Sequence, residues 1–305
     1  MNRTAFLRTR MRIILRGHLF NPLWLPRQER RRRRGEATRQ AVLDYLEKMM
    51  PPSDNRQEQP EAGTSQDRHI WTLWLQGEEQ APAIVRSCLR SMRERLDAHI
   101  HVLSERDILQ HITLPGYILE KWRAGRIRPA HFADICRVEL LWEYGGVWAD
   151  ATDWFSADLP DWLWAEDFFV YRAGRQSRGS YAFIQNCFIR AKRGSTVLAA
   201  WREAIFRYWR HEDGAIDYFI HQLLLEYALR HNPQAAEDFA RMPQMDQEPT
   251  HRLWFVHGWE PWDEEKMKGI CADALFQKTE YRSELASNAP KGSVASFLTD
   301  SYLHH

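Results

Sequence analysis

Residues 133–153 read Ala133-Asp134-Ile135-Cys136-Arg137-Val138-Glu139-Leu140-Leu141-Trp142-Glu143-Tyr144-Gly145-Gly146-Val147-Trp148-Ala149-Asp150-Ala151-Thr152-Asp153, and this stretch decides the fold. A polar-studded helix runs into a Gly-Gly turn and then into a short apolar strand that ends in carboxylates. Asp134 and Arg137 are three residues apart, so on a helix they share one face. Gly145 and Gly146 permit a tight reversal, because glycine enters positive φ without strain. Residues 147–149 then form a strand that delivers Asp150 to its C-terminal end, where an α/β sheet collects its ligands. Strand alternation puts Thr152 on the face of Asp150 and Asp153 on the opposite one. Hard oxygen ligands at such a position suit Mg²⁺ or Mn²⁺ bridging a diphosphate.

Outward from this stretch, strand and helix signals alternate, which argues for an α/β domain with a doubly wound sheet. Strands are expected over 70–75, 99–103, 167–172, 182–190 and, less regularly, 251–256. Helices are expected over 82–96, 117–124, 130–144, 195–209 and 216–229. The domain begins near His69 and runs to about residue 300. Before it, residues 53–68 contain almost no apolar side chain and read as a disordered linker, with its boundaries at 51–68. Residues 39–50 look like a short helix with Val42, Leu43, Leu46 and Met50 on one face, ended by Pro51-Pro52.

Charge divides the chain in the same place. Net charge is +1 overall, yet residues 1–50 carry 13 Lys and Arg against 4 Asp and Glu, leaving the remainder at −8. Residues 3–26 mix Arg8, Arg10, Arg12 and Arg16 with Leu7, Ile13, Ile14, Leu15 and Trp24, and Arg30 to Arg34 form an unbroken basic run. Such mixing over residues 1–34 suits attachment to an anionic membrane surface, with a floppy basic tail as the plain alternative. No nucleic-acid recognition motif accompanies the charge, so no nucleic-acid partner is expected. The four cysteines are widely spaced without a C-x-x-C pair, which fits a reducing cytoplasm. No apolar run long enough to span a membrane is present, and Arg12 and Arg16 interrupt any signal-like core. Phosphate-loop, dinucleotide, zinc-protease and serine-hydrolase signatures are missing, so ATP hydrolysis, nicotinamide chemistry and those hydrolyses lack support.

The Asp134-x-x-Arg137 pair followed by Gly145-Gly146-x-x-x-Asp150 resembles the DXD region of sugar-nucleotide glycosyltransferases, and most of all the bacterial capsular polysaccharide synthesis family. The resemblance implies a GT-A-like, Rossmann-like α/β domain with a basic, partly helical N-terminal extension at residues 1–50. It also implies a nucleotide-sugar donor, a glycan or lipid-linked saccharide acceptor, and Mn²⁺ or Mg²⁺ held by Asp150, Thr152 and Asp153. Asp134 and Arg137 would contact the donor sugar, with Gly145 and Gly146 beside them. Thr152 stands where the second Asp usually sits, a departure that points to the capsular branch and weakens the ligand set.

Three further stretches are similar to family segments. Leu73-Trp74-Leu75-Gln76-Gly77 resembles the first strand, where Trp74 would lie against the base and Gln76 and Gly77 would line the pocket. An indole offers a flat apolar face, and Gly77 allows close backbone approach; without the resemblance, Trp74 reads more readily as core. Gln185 and Asn186 sit inside an apolar run, so their amides need specific partners, and the resemblance puts Asn186 near donor sugar or acceptor. Asp217 and His221 are i, i+4 and would face one way on a helix, to bind acceptor hydroxyls, assist proton removal, or simply bond to one another. Lys278 matches a C-terminal segment where it would reach a phosphate. The expected activity is metal-dependent, retaining sugar transfer in surface polysaccharide synthesis, with Asp150, Asp217 and Asn186 as its catalytic residues. A non-catalytic nucleotide-sugar-binding relative is the alternative.

Overall fold

The computed structural model describes residues 3–19, 26–51, 68–174 and 181–300. Most of the expected linker therefore lies outside the described residues. In chain order the elements are α1 (Arg3–Leu19), α2 (Arg27–Met49), β1 (His69–Leu73), α3 (Ala83–Arg95), β2 (His99–Leu103), α4 (Glu105–His111), α5 (Gly116–Arg123), α6 (Pro129–Tyr144), β3 (Gly146–Ala149), β4 (Asp153–Trp154), α7 (Asp161–Ala165), β5 (Phe168–Arg172), β6 (Ile184–Ala191), α8 (Thr196–His211), α9 (Ile220–His231), α10 (Pro233–Arg241), α11 (Arg252–Phe255), α12 (Glu264–Ala272), β7 (Gln277–Lys278), α13 (Glu284–Asn288) and α14 (Val294–Asp300).

The central sheet has the order β2-β1-β3-β6-β5, and β4 pairs separately with β7. β2, β1 and β3 are parallel, whereas β6 is antiparallel to both its neighbours. The sheet is thus mixed rather than wholly parallel. β6 follows β5 with no crossover helix among the described residues, and a parallel return requires such a crossover. Alternation along the strands feeds two cores. Trp71, Trp148, Val170 and Ile189 face a layer built from α2, α6, α8, α9 and α10. Ile70, Val147, Phe169 and Phe188 face a layer built from α3, α11, α12 and α14. The result is a three-layer mixed α/β domain.

Two local expectations are corrected. Residues 251–256 read as a strand because Leu253, Trp254, Phe255 and Val256 are a continuous apolar run, but they form the short helix α11. Periodicity alone does not separate a buried strand from a buried helix turn. Helix α9 begins at Ile220, not 216.

Helix α2 begins twelve residues before the expected 39–50 helix. Its apolar face is buried against the main domain: Val42, Leu43 and Leu46 are inaccessible. Arg39 donates to Glu226 of α9 at 2.7 and 2.5 Å, and the Tyr227 hydroxyl donates to the Met50 carbonyl. Among the described residues, no helix is long and apolar enough to cross a membrane.

Candidate functional site

The Gly-Gly turn fixes the site's geometry. Gly145 closes α6 at φ 68° and Gly146 opens β3 at φ 104°. A Cβ on Gly146 would lie 2.5 Å from the His69 carbonyl oxygen, and one on Gly145 would lie 2.8 Å from the Arg193 amide nitrogen. Both glycines are therefore needed for close backbone packing, which brings β3 into parallel register beside β1. Trp74 and Asp150 follow the register pair Trp71 and Trp148 by three and two residues, so both emerge at the C-terminal edge of the parallel strands.

β3 stops at Ala149, and the chain then turns: the Asp153 amide donates to the Asp150 carbonyl at 2.9 Å. The alternation expected for Asp150, Thr152 and Asp153 is overturned by this turn, which gathers all three on one focus. That focus is the Lys278 ammonium, 2.9 Å from Asp150 Oδ2, 2.7 Å from Thr152 Oγ1 and 3.0 Å from Asp153 Oδ1. Lys278 is held there by the antiparallel β4–β7 pair, in which Asp153 and Lys278 are direct partners. The Thr279 amide and hydroxyl both donate to the Thr152 carbonyl, at 2.8 and 2.9 Å.

These oxygens are the right atom type for Mg²⁺ or Mn²⁺, but as arranged they do not fit a divalent ion. Their common centre is taken by a cation already, at hydrogen-bond rather than metal–oxygen distances. Burial opposes the charge on Asp150, yet Lys278 and Arg137 outweigh it and hold the carboxyl below its usual range. Asp153 is fully buried, and that desolvation pushes its carboxyl up to about 7 despite Lys278, with Asp150 adding to the rise. Burial disfavours the Lys278 charge, but the two carboxylates more than compensate and keep it protonated.

Next to this cluster lies Arg137, buried on α6. Its Nη2 is 3.3 Å from Asp150 Oδ1, its Nη1 is 3.2 Å from Asp134 Oδ1, and it donates to the Asn186 carbonyl. Its guanidinium carbon lies 5.0 Å from the centre of the Trp148 ring, whose indole N–H donates to Asp150 Oδ1 at 2.9 Å. Asn186 donates its amide to Asp134 Oδ1 at 2.8 Å. Burial works against charge on Asp134, but Arg137, His221 and His131 together hold it well below the carboxylate range. Asp134, Arg137, Asp150 and Asn186 are thus one connected network.

His131, one turn before Asp134, and His221 complete the buried end of the network. Their ligand atoms and that of Asp134 lie within 4.8 Å of one another, and the two imidazoles stack at 5.7 Å. His221 Nε2 accepts from the Trp209 indole at 3.3 Å, so a neutral ring carries its proton on Nδ1. Burial keeps it neutral, lowering its pKa to about 3 against the pull of Asp134. His221 Nδ1 and Arg137 Nε are buried polar atoms without a hydrogen-bond partner, and His131 Nδ1 lies 3.5 Å from Asp134 Oδ2. Such atoms are rare in folded proteins, and a bound water, ion or polar ligand ordinarily satisfies them.

Residues 23–298 match the family described as capsular polysaccharide synthesis protein. The chain belongs to that family. It is 27% identical over 165 residues to the O-glycosyltransferase braB of Annulohypoxylon truncatum, covering 49% of this chain and 38% of that protein. It is 28% identical over 210 residues to the glycosyltransferase afumC of Aspergillus fumigatus, covering 63% of this chain and 49% of that protein. The chain thus aligns with less than half the length of either relative. A solved structure of PaToxG Glycosyltransferase aligns over 89% of this chain and 98% of that one at 12% identity, with a TM-score of 0.38, a distant likeness only.

Within this family member the remaining expected residues divide. Trp74 follows β1, edge-on to Tyr281 with ring centres 5.1 Å apart, and its indole N–H is buried without a partner. Gln76 is exposed in the turn that follows, and Gly77, at φ 86°, has open space where a Cβ would be. Asp217 is not joined to His221 as helix neighbours, because it precedes α9. It accepts from the Tyr181 hydroxyl and from the Phe219 amide, the latter at 2.8 Å. Gln185 Oε1 is buried and unpartnered. His131 and Tyr281 escaped the sequence analysis. His131 carried the only usable signal, its i, i+3 spacing before Asp134 on one helix face.

Proposed function

We propose that this protein is a glycosyltransferase that moves a sugar from a nucleoside diphosphate, UDP in the first instance, to a hydroxyl of a glycan or lipid-linked saccharide in surface polysaccharide synthesis. The observation that carries it is Arg137: a buried guanidinium touching Asp134 and Asp150 at the edge of the parallel strands, with its Nε–H still unpaired. A guanidinium matches phosphate and sugar oxygens by its fixed fork of donors, and the cleft beyond the carboxyl ends of strands is where such sheets bind nucleotides.

In this reading, part of a GT-A-like arrangement, the base lies beside Trp74 over the opening left by Gly77. The diphosphate meets the cationic edge made by Arg137 and Lys278. Asp134 accepts from sugar hydroxyls, and Asn186 and Arg137 keep its carboxylate oriented. Transfer is front-face and retaining in this reading: the bond from anomeric carbon to phosphate oxygen breaks, the acceptor oxygen bonds that carbon, and the acceptor proton passes to the departing phosphate oxygen. Arg137 stabilises the charge that grows on that oxygen, an effect that counts most where water is excluded.

The reading extends to location at an anionic membrane face. On α1, Leu7, Met11, Ile14 and Leu15 form an exposed stripe at i, i+4, i+7, i+8, flanked by exposed Arg8, Arg10 and Arg12. An apolar stripe beside basic side chains matches an interfacial helix on anionic lipid.

The test is a panel of UDP- and GDP-sugars with release of nucleoside diphosphate as readout. Turnover of at least one donor, cut on the order of a hundredfold by Asp150→Ala, is expected. Donor binding without turnover on any sugar would favour the non-catalytic relative, and unchanged turnover in Asp150→Ala would remove the site assigned.

A further inference from the structure

We propose that the Lys278 ammonium is the resident cation of this site, and that the nucleoside diphosphate binds through Lys278 and Arg137 without a divalent metal. This rests on the nucleotide-sugar reading and sharpens its cofactor.

A lysine ammonium has three donors and no acceptor. Here each donor has one oxygen, from Asp150, Thr152 and Asp153, at 2.7–3.0 Å. The ammonium therefore occupies the point toward which a metal would draw those same oxygens. A divalent ion entering would require it to leave, since two cations within a few ångströms repel strongly in a poorly solvated site. Leaving is disfavoured by the local fold: the backbone of Lys278 is clamped by the β4–β7 pair and by both Thr279 bonds to Thr152.

Thr152 acquires a role in this arrangement. With a carboxylate in its place, three acidic groups would share one ammonium, a set suited to a doubly charged ion. With a hydroxyl, the third acceptor is neutral and exchangeable. The open side of the cluster is formed by Asp150 and Lys278, whose side chains retain 28% and 18% of their exposure. A diphosphate oxygen arriving there replaces the Thr152 hydroxyl as acceptor of one ammonium proton and leaves both carboxylate contacts in place. Arg137, already beside Asp150, supplies the second positive charge.

Calorimetry on the full chain tests this with three probes: Mn²⁺ alone, and UDP and GDP each in excess EDTA or in Mn²⁺. The wild-type protein is expected to bind one nucleotide equally well in EDTA and in Mn²⁺, and to bind no Mn²⁺ by itself. Lys278→Met is expected to weaken that nucleotide by roughly ten- to a hundredfold, the loss of one charge-assisted contact. Nucleotide binding that appears only with Mn²⁺ overturns the proposal and leaves the transferase reading standing. Equal affinity in Lys278→Met also overturns it. Failure of both nucleotides to bind under either condition removes the nucleotide-sugar reading together with this one. The wild-type comparison decides the matter even if the variant does not fold.

Discussion

Asn186 donates its side-chain amide to Asp134 Oδ1 at 2.8 Å, tying β6 to α6 beside the Arg137 guanidinium. Burial opposes the charge on Asp134, Arg137 outweighs that cost, and the Asn186 bond helps orient the carboxylate. Replacing Asn186 by Ala leaves a buried carboxylate one donor short, a change expected to cost about 1–3 kcal/mol of stability. The same variant is expected to raise KM for the donor sugar. Urea unfolding and donor kinetics, measured together, separate the two effects.

His221 predicts a pH dependence of stability. Its pKa is about 3 in the fold, chiefly through burial, against an ordinary value near 6.5. Between these values the unfolded chain binds a proton that the folded chain refuses, so the His221 contribution to stability falls as pH drops below about 6.5, while Asp153, raised to about 7 chiefly by burial, contributes in the opposite sense. The slope approaches 1.4 kcal/mol per pH unit for this one group. His221→Gln should make the urea midpoint fall less, or rise more, than in wild type as pH is lowered from 6.5 to 4, and equal slopes would remove the His221 contribution.

Helix α2 is expected to behave as part of the domain. Leu46 is inaccessible among residues of the same core that holds Trp148 and Leu224. Leu46→Ala should cost about 2–5 kcal/mol in urea unfolding, as buried leucine truncations do. An independent extension would show a change near zero.

Vesicle flotation tests the exposed stripe of α1. Binding to vesicles rich in phosphatidylserine is expected to weaken as salt rises and to drop when Arg8, Arg10 and Arg12 become Gln, by about 1 kcal/mol for each charge removed. Neutral phosphatidylcholine vesicles should capture little protein. Equal binding to both vesicle types would contradict the electrostatic part.

What could be read from the sequence follows from how local each signal is. Asp134, Arg137, Gly145, Gly146 and Asp150 lie within one helix, one turn and one strand, so helical spacing and glycine conformation sufficed to relate them. Asn186 was marked by an amide inside an apolar run, which the hydrogen bond to Asp134 explains. Alternation failed over Asp150 to Asp153 because the strand gives way to a turn closed by the Asp153 amide. Lys278 reaches Asp150 from 128 residues away through a two-residue strand, too short to show any period. The apolar face of α2 was visible, but nothing in sequence names α9 as its partner. The β6 reversal was equally hidden, since antiparallel return depends on a connection rather than on strand composition.

The most direct measurement is a proton NMR time course of the full chain with UDP- and GDP-sugars, following the anomeric signal of each donor. The account predicts that one donor's signal decays while free nucleoside diphosphate and a sugar of unchanged anomeric configuration appear, and that Arg137→Met abolishes the decay. Donor signals that persist throughout the panel, or decay at the same rate in Arg137→Met, would contradict it.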